Sequence, residues 1–268
     1  MIDSDDRFVT LRAARRIWAI GAIHGNADRL GAVHDVLAEK IRYGDRVVYL
    51  GNYFGVGRQI RRMQAELLRF RCWLLSIPPY MHQDDIVYLR GAQEEIWQKL
   101  MQLQFAPKPL EILDWVLERG AGATLEAFGI DPRDGYQAAR EGTVALTAWT
   151  GGLRDAMRRS PGQEPFLSHL RQAAVSEDRQ LLFVHTGVDV TRGLDEQSDT
   201  FWWAGRCFKH LAAPYGTFQR MIRGYDPDHR GYAETDHSLT LDGGCGFGGT
   251  LMAACLTPDG QVEDMINY

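Results

Sequence analysis

Apolar residues in this chain gather into short runs, and several of them end in short glycine-bearing loops. Ile17-Trp18-Ala19-Ile20 ends in Gly21-Ala22-Ile23-His24-Gly25. A run of this length bounded by glycine predicts a strand buried on both faces. The period then changes. Over Ala27 to Ile41, Leu30, Val33, Leu37 and Ile41 fall at helical spacing, and Gly44-Asp45 breaks the pattern. A second run, Arg46 to Leu50, ends in Gly51-Asn52. A helical stretch from Arg58 to Leu75 follows, stopped by Pro78-Pro79. A third run, Ile86 to Leu89, ends in Arg90-Gly91. Strand, loop and helix in three successive rounds predict βαβ units on a mixed or parallel sheet.

Residues 94–176 have a different texture. Helical patterns broken by Gly and Pro are predicted over Glu94–Leu103, Pro109–Glu118, Thr124–Phe128 and Gln163–Ala174. From Gln180 the chain is strand-like again. Leu181 to Val184 runs into His185, and Ser238–Leu241 and Thr250–Leu256 flank a glycine-rich turn. With no repeat, low-complexity tract or linker, a single domain over 1–268 with a helical insertion at about 94–176 is the simplest organisation. The segment "GCGFGG", Gly244 to Gly249, formally matches the dinucleotide pattern GxGxxG. A strand-like run follows it rather than a helix, so a hairpin turn is predicted instead.

Composition narrows the class. In 268 residues, 45% are apolar and 24% charged, which is enough for a sizeable core. The net charge of −5 offers no global field for nucleic acid or an anionic membrane, and neither is expected as a partner. The arginines at 12, 15 and 16 and at 58, 61 and 62 read as solvated helix faces. Cys72, Cys207, Cys245 and Cys255 form no CxxC pair, which argues against a zinc knuckle or a disulfide framework. The acidic start MIDSDDRF has no apolar core of a signal peptide, and the expected location is cytoplasmic.

The strand-terminating loops carry the chemistry. In order they are "GAIHG" from Gly21, "GNYFGVG" from Gly51, "RGAQE" from Arg90, "VHTG" from Val184, and Gly224-Tyr225. Their order and spacing resemble the calcineurin-like metallophosphoesterases, whose motifs read GDxHG, GDxxDRG, GNHE, a later His, and GH. The resemblance is nearest the bacterial branch of serine/threonine protein phosphatases and diadenosine tetraphosphatases. Three further segments are similar to that branch: "GAGATLEAFG" after Trp115, "FVHTGVDVTRGLDEQ" with Trp202-Trp203 beyond it, and "LDGGCGFGGTLMA". The similarity runs from about Arg16 to Val262. It implies an α/β fold, a two-sheet sandwich flanked by helices.

The same resemblance implies a chemistry: two divalent metals that activate water and clamp a phosphate. Its first metal would fall to Ala22, His24 and Asn52, and its second to Asn52, Ala92, His185 and Tyr225. Both carboxylates are thus replaced, and only His24 and His185 are retained as imidazoles. The family's proton-donating histidine is Gln93, the aspartate that would orient it is Gly55, and the phosphate-binding arginine is Val56. Gln93 cannot ionise, so it cannot serve as a general acid. Arg90 is left to meet an anion, or to act as a framework arginine.

These replacements predict a degenerate metallophosphoesterase, a pseudo-phosphatase with a binding or regulatory role. Its partner would be a protein, or a ligand in the vestigial cleft. No cofactor is expected. The alternative is an active phosphoesterase of the protein phosphatase or dinucleoside-polyphosphate hydrolase type, with a non-standard or single-metal site of Mn or Fe type. Under the first reading His24 and His185 are structural; under the second they hold a weakly bound ion. Asp226, Asp228, His229, Asp236 and His237 could refill a site by displacement. An extended chain, however, would send Asp228 and His229 to opposite sides. Tyr53-Phe54 and Trp202-Trp203 either line the old cleft or belong to the core.

Overall fold

The computed structural model describes residues 7–77, 81–160, 162–206, 208 and 211–268. Pro78-Pro79, Cys207 and the first six residues lie outside them. Two sheets form the centre. The first contains β2 (Arg16–Ile20), β3 (Asp45–Tyr49), β4 (Ile86–Tyr88), β10 (Met252–Leu256) and β11 (Val262–Asn267), in the order β11-β10-β2-β3-β4. β2, β3 and β4 are parallel, and β10 and β11 antiparallel. The second contains β1 (Phe8–Leu11), β5 (Ala173–Ser176), β6 (Leu181–Val184), β7 (Arg220–Arg223), β8 (Ala233–Glu234) and β9 (Ser238–Thr240), in the order β1-β5-β6-β7-β9-β8.

Side-chain alternation explains why β2 reads as one apolar run. Ile17 and Ala19, with Val48 and Leu50 beside them, face the second sheet, where they meet Phe183, Ile222 and Leu239. Trp18 and Ile20 point the other way, beneath α1 (Ala27–Lys40) and α2 (Ile60–Ser76). Both faces are covered, so every position must be apolar. The second sheet has its own outer layer, where Val175, Leu182, Val184 and Met221 pack on Phe201 and Trp202 of α9 (Thr200–Trp203).

Between β4 and β5 the chain is helical: α3 (Ala92–Met101), α4 (Pro109–Glu118), α5 (Ala121–Ala127), α6 (Pro132–Glu141), α7 (Thr143–Arg158) and α8 (Gln163–Ser168). Four sequence expectations change here. Helix was predicted over Gln163–Ala174, but α8 stops at Ser168 and Ala173 opens β5. The glycine-rich segment is not a hairpin turn, because β9 and β10 belong to different sheets and the segment crosses between them. Arg12, Arg15 and Arg16 lie on no helix. Arg12 follows β1, and Arg16 opens β2 with its guanidinium on both oxygens of Asp45 at 3.0 and 2.7 Å. Asp228 and His229 sit on a turn rather than an extended chain, with His229 at φ 46°.

One buried polar chain ties α1, α2 and β3. His34 is stacked on Phe70 at 3.9 Å, its Nδ1 lies 2.6 Å from Glu66, and its Nε2 lies 2.8 Å from the Tyr49 hydroxyl. A carboxylate can only accept, so Nδ1 carries the proton and the Tyr49 hydroxyl donates to Nε2. Tyr49→Phe leaves that nitrogen buried without a donor. It should cost about 1–3 kcal/mol in urea unfolding.

Candidate functional site

The loops after β2, β3, β4, β6 and β7 meet at one end of the two sheets. His24 N–H donates to the Asn52 carbonyl at 2.7 Å, Gly25 N–H to that of Tyr53 at 2.7 Å, and Ala22 N–H to that of Gly224 at 3.0 Å. The amides of Gly224 and Tyr225 both donate to the His185 carbonyl at 3.1 Å. The sequence therefore brings together His24, Asn52, Gln93, His185 and Tyr225. His24 and Asn52 both adopt left-handed backbone, at φ 49° and 54°. Such non-glycine conformations persist only where the surroundings over-determine them.

A carboxylate that sequence reasoning passed over supplies much of that determination. Glu94 is buried and accepts four backbone N–H groups: Asn52 at 3.0 Å, Tyr53 at 2.8 Å, Phe54 at 3.0 Å and Gly91 at 2.8 Å. Burial pushes its carboxyl up from the ordinary range, while these donors pull it back down. A legible signal existed. Gly91 followed three residues later by glutamate is a capping-box spacing at the start of α3. Gly91 itself has no alternative, because a Cβ there would lie 2.2 Å from the Asn52 nitrogen.

Asn52 lies between the two histidines' loops. Its Oδ1 accepts the Gln93 backbone N–H at 2.9 Å, which leaves Nδ2 facing His24 Nε2 at 3.2 Å. The amide orientation follows from the backbone donor. His24 must then present a lone pair at Nε2 and carry its proton on Nδ1, an atom that finds no partner. His185 is the reverse. Its Nδ1 donates to the Leu50 carbonyl at 2.7 Å, so its unpartnered Nε2 holds the lone pair. Burial holds the His24 pKa down at about 3, helped by His185 and His229, and that of His185 at about 4.

Aromatic rings close the space over both imidazoles. Tyr225 stacks flat on His185 with centroids 5.3 Å apart, and Phe247 meets His24 edge-on at 5.1 Å. Phe247 belongs to the crossover between the sheets. That loop fits so tightly that a Cβ on Gly246 would lie 2.5 Å from His24 Cβ.

The other expected positions fall as follows. Ala22 and Ala92 are buried methyls. The Gln93 amide donates to the Arg119 carbonyl at 2.7 Å. Gly55 has φ 114°, and a Cβ there would lie 2.8 Å from Gln93 Cδ and 3.0 Å from His24 Nδ1. Val56 is exposed. Arg90 donates to Gln98 at 2.8 Å and lies 3.6 Å from Glu95, while its carbonyl accepts the Trp202 indole at 3.1 Å. These ties fit a framework role. Tyr53, Phe54 and Trp202 are core, and Trp203 is 38% exposed.

Of the residues considered for refilling a site, His229 does reach the cleft. Its ring lies 4.1 Å from Phe247, and its Nδ1 lies 3.0 Å from Asp242, which sequence reasoning also missed. Asp226 is held by the buried Arg223 at 3.2 Å and by Arg230 at 2.8 Å. Asp228 is half-exposed on the turn, 3.7 Å from Arg230. Asp236 is exposed and His237 faces the Gln219 carbonyl, away from His24. Among the described residues, no group of three or more His, Cys, Asp or Glu is placed to share a metal ion.

No protein-family model matches the sequence, and no curated protein does. Solved structures do. A putative diadenosine tetraphosphatase is similar with a TM-score of 0.55 at 17% identity, over 97% of each chain. A protein serine/threonine phosphatase from Saccharomyces cerevisiae with similarity to human phosphatase PP5 is similar with a TM-score of 0.50 at 11% identity, over 97% of this chain and 82% of that one. The chain has the calcineurin-like metallophosphoesterase fold, as its loops implied. No helix among the described residues is long and apolar enough to cross a membrane.

Two outcomes follow from this geometry. Glu94→Ala strips a partner from four buried N–H groups and should cost about 4 kcal/mol or more in urea unfolding. The two histidines set a pH dependence. Their folded pKa values lie below the unfolded value of about 6.5, so the unfolded chain binds protons that the native chain refuses. Their stability is complete above that value, falls as pH drops below it, and is fully lost only once pH has passed about 4 for His185 and about 3 for His24. Across pH 6 to 4 the slope should approach roughly 2.7 kcal/mol per pH unit, two protons' worth. A double variant, His24→Asn with His185→Gln, should flatten it.

Proposed function

We propose that this chain is a degenerate metallophosphoesterase that does not hydrolyse phosphate esters and acts by binding. The observation that carries this reading is the Asn52–His24 hydrogen bond. An amide proton sits on the imidazole lone pair that, by the resemblance, would face a metal. A second polar contact, Gln93 N–H to Asn52 Oδ1, keeps it there. Divalent ions of the Mn and Fe type favour carboxylate and imidazole ligands. Methyl groups at Ala22 and Ala92, a neutral amide at Asn52 and a phenol at Tyr225 do not fit a pair of dications.

One observation favours a second reading. The His185 Nε2 lone pair is unpartnered, as a single weakly held ion would require. The readings separate on metal content by mass spectrometry after incubation with Mn²⁺, followed by turnover of p-nitrophenyl phosphate. Binding without catalysis expects far less than one ion per chain and no turnover above background. Two ions per chain, with turnover of at least about 1 s⁻¹ that His24→Ala abolishes, would falsify it.

Restoration gives a finer expectation. Asn52→Asp replaces a donor to His24 with a carboxylate, and should raise the imidazole pKa well above about 3 in an NMR titration. Adding Ala22→Asp should then raise Mn²⁺ affinity. Gly55→Asp should destabilise the fold with or without Gln93→His, because its backbone is at φ 114° and a Cβ there would lie 3.0 Å from His24 Nδ1.

A further inference from the structure

The opposite end of the first sheet carries arginines that neither the fold nor the cleft uses. β2, β3 and β4 run parallel, so their first residues gather about 17 Å from the loops that follow them, at roughly 3.3 Å per residue. There a groove of about 410 Å³ lies beside Arg15, Arg42, Tyr43, Gly44 and Arg46, with Ile41, Ile77 and Met81 among its apolar walls.

Its charges do not cancel. Two carboxylates line it. Asp45 is consumed by Arg16 on both oxygens, by the Trp18 indole at 3.2 Å and by the Arg42 backbone N–H at 2.8 Å. Asp85 is taken by Arg46 at 2.9 Å and by the His82 backbone N–H at 2.8 Å. That leaves Arg15 and Arg42. Among the described residues, neither guanidinium makes a hydrogen bond or an ion pair. In a chain of net charge −5, this is a local cationic excess.

Arg15 is also held in place. Its backbone N–H donates to the Gly44 carbonyl at 2.8 Å, and its stem lies over Gly44, where a Cβ would come within 2.7 Å of Cδ. Its guanidinium sits over the Tyr43 ring at 5.5 Å, while Tyr43 is 65% exposed. A stacked guanidinium loses little freedom on meeting an oxyanion, and its planar fork suits phosphate. The volume lies within the range of small-molecule sites, and apolar walls with a few placed polar groups are their usual lining.

We propose that this groove binds an organic phosphate. Arg15 and Arg42 would hold the phosphate, and Tyr43 with Ile41, Ile77 and Met81 would take an aromatic or apolar body. The site is independent of the cleft, so it stands or falls without the reading given above.

The test is calorimetric titration of the full chain with AMP and, separately, with inorganic phosphate. AMP should bind with a Kd below about 1 mM, and phosphate more weakly. Arg15→Gln and Arg42→Gln should each weaken AMP about tenfold or more. Tyr43→Ala should weaken AMP strongly and, because Arg15 loses the ring it stacks on, phosphate to a smaller extent. All three side chains are exposed, so melting temperatures should hold and separate lost binding from lost folding. Absence of AMP binding to the wild type at millimolar concentration overturns the proposal. So does binding that survives both arginine changes, or that Arg90→Gln abolishes instead.

Discussion

The loop architecture depends on one buried carboxylate. Glu94 gathers the amides of Asn52, Tyr53 and Phe54 from the loop after β3, and that of Gly91 from its own. Taking a carboxylate out of water costs several kcal/mol, and only well-aligned donors offset that. The first turn of α3 is a favourable place for the charge, because its free N–H groups and dipole point the same way. With the loop after β3 held, Asn52 is fixed; with Asn52 fixed, so is the tautomer of His24. An anion carried by the chain thus organises the loops around His24 and Asn52.

The two ends of the first sheet differ in electrostatic character. At the loop end, two uncharged imidazoles are sealed under Tyr225 and Phe247. The carboxylates of Asp226 and Asp242 are occupied by Arg223, Arg230 and His229. At the strand-start end, guanidinia face solvent beside a tyrosine ring. An ionic ligand meets very different terms at the two ends, although they belong to the same strands.

Much of this was legible in the sequence, for identifiable reasons. β2, β3, β4 and β6 are covered on both faces, so their apolar runs stood out. The residues of the cleft were found because each follows a strand end. What escaped depends on contacts between distant segments. β1 is half-exposed and four residues long, too short to show a period. α7 buries Leu146, Thr150, Leu153 and Met157, but Gly151-Gly152 interrupts the pattern. Adjacent strands usually pair, so the crossover through Gly244–Gly249 looked like a hairpin. Pro227 starts a turn that swings His229 back to Asp242, a reversal that no local spacing announces. Glu94 had a local signal, but its three partners beyond α3 lie some forty residues earlier.

The pairing of β1 has a consequence for how the chain assembles. Phe8 to Leu11 form a parallel ladder with Ala173 to Ser176 and with no nearer strand. On a ribosome, β1 must therefore wait until β5 has emerged. β2, β3 and β4, joined by α1 and α2, can collapse first, since their contacts are close in sequence. The second sheet closes late, and closing so long a loop slows folding. During that interval β1 is unpaired. Such an edge is where another nascent copy could pair, and synthesis rate would govern how much of the protein escapes it.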